Sequence, residues 1–113
     1  MTDSKKTITI IKDFSKKPFG RYPKDGGDNC GEKFRNDCLL PALKHYHFVH
    51  VVLTGYNRYG RSFIDEAFGG LIRVNGFKLQ DLLTRLSYEH ADVKSIESLI
   101  KERLEAAQND INP

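Results

Sequence analysis

Apolar residues fall along this chain in two rhythms, a period of two in short β-branched runs and a period near 3.6 in the stretches between them. Thr7-Ile8-Thr9-Ile10-Ile11 is β-branched throughout and ends at Lys12-Asp13, which predicts a first strand. Phe48-Val49-His50-Val51-Val52-Leu53 is apolar on both alternating faces and predicts a central strand covered by helices on both sides. Between them Phe34, Cys38, Leu39, Ala42 and Leu43 share a helical face, and Asn29 with Glu32 three places on has the form of a capping box. Pro41 lies inside that pattern and removes a backbone donor, so the helix is expected to kink or divide there. Ile64, Ala67, Phe68 and Leu71 mark a second helix, opened by Ser62 with Asp65 in a second capping form and closed by Asn75-Gly76.

Residues 78–84 carry a short amphipathic pattern, and 85–89 read as a third, edge-like strand. Asp92 then caps a last helix whose Val93, Ile96, Ile100, Leu104 and Ala107 form one apolar stripe, with Glu97 four places before Lys101 on the exposed side. The order of elements is that of a small α/β sandwich, a mostly parallel or mixed sheet of three to four strands with helices packed on it. Residues 1–6 are read as a disordered lead, 7–107 as a single domain and 108–113 as a tail.

Two features interrupt these rhythms. Residues 15–28 hold two prolines, three glycines and several basic residues around Phe19 and Tyr22, a connection long enough to suggest a binding loop or a disordered one. Gly69 and Gly70 stand inside a helical pattern, where each costs about 1 kcal/mol relative to alanine, so a close approach by another backbone or a partner is expected there.

Composition adds limits. A chain of 113 residues supports one core, and 18 basic against 15 acidic residues give a net charge of +3, a modest surplus that tolerates an acidic partner without requiring one. Cys30 and Cys38 on one helix would stand about 12 Å apart, beyond bridging distance, and read as free thiols in a reducing compartment. No run approaches the roughly 18 apolar residues of a membrane span, so a cytoplasmic location is expected.

Phe19-Gly20-Arg21-Tyr22, Asp25-Gly26, Gly31-Glu32-Lys33-Phe34-Arg35, Pro41 and above all Ser62-Phe63-Ile64-Asp65-Glu66-Ala67-Phe68-Gly69 resemble the STAS-like family of small bacterial domains. The resemblance covers residues 7–74 well and the remainder loosely. By its layout that family is similar to the anti-sigma-factor antagonists, in which a strand leads to a serine at a helix start that a GHKL-type kinase phosphorylates. Ser62 holds the corresponding place. The resemblance thus implies a regulatory module with a GHKL-type ATPase or kinase as partner. One departure is plain: the antagonists carry Asp-Ser-Ser or Asp-Ser-Thr before a glycine, whereas Ser62 follows Gly60-Arg61 and precedes the bulky Phe63.

Several residues invite chemistry. Phosphate on Ser62 would meet free helix amides with Arg58 and Arg61 nearby, against the plain reading of Ser62 as a cap. Arg21, Asp25, Arg35 and Glu66 could make a polar partner site where the long loop folds over the helix start, with Asp65 counted beside Ser62 among the partner-binding or switch residues; the plainer alternative for the first four is an internal salt-bridge network that pins the loop. Arg58 and Arg61 with Tyr56 and Tyr59, beside the basic loop, also suit a nucleotide or single-stranded nucleic acid. His45, His47 and His50 suggest a metal only weakly, since no cysteine or carboxylate pattern accompanies them. The chain shows no phosphate-binding glycine loop and no nucleophile paired with a base, so the expectation is a non-catalytic module without a cofactor.

Overall fold

The computed structural model describes residues 4–111. Three strands, β1 (Lys5–Thr9), β2 (Phe48–Val52) and β3 (Leu86–Glu89), form one parallel sheet in the order β1-β2-β3. Each crossover between neighbours carries helix, as parallel pairing demands. The first holds a helix over residues 31–45; the second holds one over 61–73 and the shorter Leu79–Arg85; Lys94–Ile111 closes the fold. The expected α/β sandwich is therefore present, with its central strand ending at Val52, one residue before the expected Leu53.

The first strand begins at Lys5, inside the stretch expected to be disordered, and it ends two residues early because Ile10–Asp13 makes a helical turn. The Asp13 carboxylate accepts the Thr9 amide at 2.7 Å, and the Ile10 carbonyl accepts the amides of Phe14 and Ser15, so the chain leaves the sheet there. The last helix likewise runs on to Ile111, through most of the expected tail, because Ala107 is buried and Asp110 is held by Arg73 at 2.9 Å. Residues 1–3 and 112–113 lie outside the described residues.

One face of the sheet is buried. Ile8, Val49, Val51 and Leu86 point beneath the helices into the core, whereas Lys5, Thr7, Ser87 and Glu89 on the other face are exposed and His50 and Val52 only half-buried. The expected cover on both faces is thus not found among the described residues. The apolar look of β2 on both sides misled because Phe48 and Val52 sit at its ends, where Phe48 keeps 37 % of its surface in solvent.

Helix 61–73 lies between helix 31–45 and the last helix, and every residue from Phe63 to Ile72 is buried. Phe63, after Ser62, belongs to this core: its ring lies 6.0 Å from Phe34 and 5.8 Å from Tyr59. Both long helices contain a widened π turn, at Arg35–Leu39 and at Asp65–Gly69. The first precedes Pro41 and spans Asp37, the carbonyl four residues back that a proline ring strikes in a regular α-helix. The helix therefore stays continuous through Pro41 instead of dividing. Gly31 makes the contact between the two helices: a Cβ there would lie 2.6 Å from the Phe63 carbonyl oxygen.

Gly31→Ala should accordingly destabilise the fold by about 1–3 kcal/mol despite its better helix propensity, because a backbone atom cannot yield. Gly60→Ala, whose new methyl meets nothing within 4 Å, should cost less than about 1 kcal/mol. Urea unfolding of both variants checks the contrast.

Candidate functional site

Residues 15–28, expected to be loop, are ordered against the start of helix 31–45. The Phe19 amide donates to the Asn29 carbonyl at 2.9 Å, and Gly31 and Glu32 donate back to Gly20 and Arg21 at 2.9 and 3.1 Å. Asn29 is not the cap of that helix. Its side chain accepts the Ser15 hydroxyl at 2.7 Å, and Cys30 takes the cap position. This reciprocal ladder carries Arg21 to the second helix.

There Arg21 Nη1 lies 2.8 Å from Asp65 Oδ2 and 3.3 Å from Glu66 Oε1. Arg35, 2 % exposed, reaches Glu66 Oε2 at 2.7 Å and also donates to the Glu66 main-chain carbonyl. That carbonyl lies in the π turn, where helical hydrogen bonding is loosened and a side-chain donor finds room. Arg73 and Arg103 complete the set on Asp65 at 3.1 and 3.3 Å. Four guanidinium groups thus surround two carboxylates that are each only 6 % exposed.

Gly69 and Gly70 open the space for it. A Cβ on Gly70 would fall 1.9 Å from Arg35 Nη1, and one on Gly69 2.8 Å from Arg73 Nη1. The close approach expected at these glycines is real: the nearest atoms are those of arginine side chains, and the main-chain oxygen of Arg103 would lie 3.4 Å from a Cβ on Gly69. Burial pushes the Asp65 carboxyl up, yet hydrogen bonds and charges from Arg21 and Arg73 outweigh it and hold its pKa below the usual carboxylate range. Burial also opposes the charge on Arg21, and Asp65 and Glu66 overcome it and raise that pKa.

Arg21, Arg35, Asp65 and Glu66 are thus brought together in an ion network, while Asp25, Arg58, Arg61 and Ser62 stand exposed. Ser62 is not the helix cap: Gly60 takes that position, Arg61 is the first helical residue and the Ser62–Asp65 capping pair is absent. A cleft of about 430 Å³ lies where Phe19, Arg21 and Asp25 of the loop meet Gly60, Arg61 and Ser62. Tyr59, offered for stacking, is buried instead, 5.1 Å edge-on from Tyr56, and burial pushes its hydroxyl pKa up.

Three partners escaped the sequence. Arg73 and Arg103 lie at positions of their helices to which the sequence pattern assigns no role. His90, fully buried, ties the 53–60 loop to the last helix: Nε2 donates to the Tyr56 carbonyl at 2.8 Å, and Nδ1 accepts the amides of Asp92 and Val93 at 3.1 and 3.0 Å. Glu97, expected to pair with Lys101, accepts the His90 amide at 2.9 Å and Lys94 at 3.1 Å. The cysteines are both free, with burial and the nearby Asp37 and Asp13 pushing the Cys38 thiol away from thiolate. His45 ends a helix, so it cannot share with His47 the extended geometry a chelating pair would need. Among the described residues no helix is long and apolar enough to cross a membrane.

Glu66→Gln removes the charge that balances Arg35, and should cost about 3 kcal/mol or more in denaturant unfolding. Asp65 should carry a pH signature. Because its folded pKa is lowered, its contribution is full above the unfolded value near 4 and fades as pH falls through the folded value. The stability gap between the parent and Asp65→Asn should therefore stay constant from about pH 7 to pH 5 and narrow below about pH 4. A gap unchanged down to pH 2.5 would contradict the ion network.

Comparison with known proteins adds a family. Residues 30–95, more than half of the chain, match the family described as a STAS-like domain of unknown function (DUF4325). The match takes in Arg35, Asp65, Glu66 and the whole of helix 61–73. No curated protein matches, and no solved structure does. With its parallel α/β fold and more than half of its length matched, the chain belongs to this STAS-like family.

Proposed function

We propose that the chain is a regulatory module that binds a protein partner, without catalysis at that surface, through the exposed start of helix 61–73 and the loop folded over it. The observation that carries this reading is the cleft of about 430 Å³ at Arg61 and Ser62, whose rear wall is locked by Arg21 on Asp65 and Glu66. A surface held that firmly loses little conformational entropy on binding. Exposed Phe19 beside Arg61 and Asp25 combines an aromatic anchor with charges of both signs, a mixture suited to a protein segment.

The resemblance to the anti-sigma-factor antagonists supports a GHKL-type ATPase or kinase as that partner. Ser62 has no hydrogen bond from its hydroxyl to the described residues and is exposed, so a kinase could reach it; phosphate there would face the helix amides and Arg61. The reading as a nucleotide or single-stranded nucleic-acid module keeps Arg58 and Arg61 but loses Tyr59 as a stacking surface, and so has less support. A cytoplasmic location agrees with two free cysteines.

Arg61→Glu combined with Ser62→Glu should weaken binding to a GHKL-type ATPase from the same cell by about tenfold or more, with the melting temperature unchanged since neither side chain is buried. Titration calorimetry measures it. Equal affinity of parent and variant would refute recognition at this cleft.

A further inference from the structure

A second constellation lies on the sheet face that the helices leave open. The parallel register sets Thr7, His50 and Ser87 side by side across the three strands, with Glu89 two residues beyond Ser87 on the same face. Ser87 Oγ is 2.6 Å from His50 Nδ1, and His50 Nε2 is 2.7 Å from Glu89 Oε1. An ionised carboxylate can only accept, so in the neutral ring Nε2 carries the proton and Nδ1 is left to accept the Ser87 hydroxyl hydrogen. The string runs nucleophile, base, orienting carboxylate, with the two ring nitrogens in the reverse of the usual order.

Of the three, His50 is the most enclosed: Ser87 is open to solvent, the His50 side chain is 20 % exposed and that of Glu89 48 %. A cleft of about 340 Å³ adjoins Ser87, with Phe48 and Leu83 as apolar walls and Lys5 among its lining residues. Ser62, equally exposed, has no such base beside it.

We propose that Ser87 is a nucleophilic site, activated by His50 with Glu89 as positioning residue, for esters or thioesters of an apolar acyl group. In the step, Ser87 Oγ bonds to the acyl carbon while its proton passes to His50 Nδ1. The bond from that carbon to the leaving alkoxide or thiolate breaks, and the leaving group takes the proton from His50. Water then releases the acyl group as the acid by the reverse proton path. This site uses none of the residues of the Arg61–Ser62 cleft, so the two readings stand or fall separately.

The test is covalent labelling of the full chain with an alkyl fluorophosphonate, which bonds Oγ to phosphorus and expels fluoride, read by peptide mass mapping. Hydrolysis of p-nitrophenyl butyrate is followed in parallel. Adduct should form on Ser87 and not on Ser62. Labelling should slow about 100-fold in His50→Gln and about tenfold in Glu89→Gln, and added imidazole should restore part of the rate in His50→Ala, a rescue that a structural role for the ring would not give. Melting curves confirm that each variant is folded; His50→Asn replaces a His50 variant that is not, and Glu89→Ala replaces Glu89→Gln. Equal labelling of Ser62 and Ser87, a rate indifferent to His50, or no adduct on Ser87 would overturn the proposal.

Discussion

A guanidinium almost wholly removed from water must be neutralised where it lies, and the Glu66 carboxylate does this for Arg35 while the Glu66 main-chain carbonyl accepts a further hydrogen bond from it. Much else follows from that demand. Gly70 has to lack a side chain for Arg35 to lie against the helix, Gly31 has to lack one for the two helices to come close enough, and the turn that holds Glu66 has to widen to offer its carbonyl. Such a pair need not be more stabilising than well-packed apolar residues; removing one partner is what costs. Its contribution is alignment, since Arg35 Nη1 meets both the carboxylate and the main-chain oxygen of Glu66 in one relative position of the two helices.

That alignment also explains why the loop over residues 19–25 is ordered. Arg21 brings its charge to carboxylates already committed to Arg35, Arg73 and Arg103, and the ladder from Asn29 to Glu32 holds the backbone that delivers it. The exposed residues at the helix start are therefore displayed on a rigid support. The open sheet face, by contrast, owes its geometry to strand register alone, and the two surfaces draw on separate parts of the fold.

Periodicity made the strands and helices legible because each has an apolar face directed at one core: β2, helix 61–73 and the stripe from Ile96 to Ala107 lie where their patterns put them. Boundaries were less legible where a polar side chain decides them. Asp13 ends β1 and Gly60 displaces Ser62 as a cap, and neither effect leaves a period behind. Asp25 belongs by its sequence to the same polar set as Arg21 and Glu66, yet it faces solvent while those two meet at 3.3 Å. Long-range partners such as Arg103 on Asp65 carry no local signal at all. The open sheet face was missed for a related reason, since alternation in a short central strand records which residues are apolar and not whether a helix is present to cover them.

Residues 63–72 of helix 61–73 are all buried, and this bears on how the chain is made. As residues emerge in order, Asp65 and Glu66 leave the ribosome long before Arg103, and the apolar face that meets the last helix has no cover until that helix follows. The N-terminal half can bring Arg21 and Arg35 to the two carboxylates, but the final positive charge and the final wall arrive together with the end of the fold. Assembly therefore has a built-in last step, in which one helix both closes the core and balances its charge.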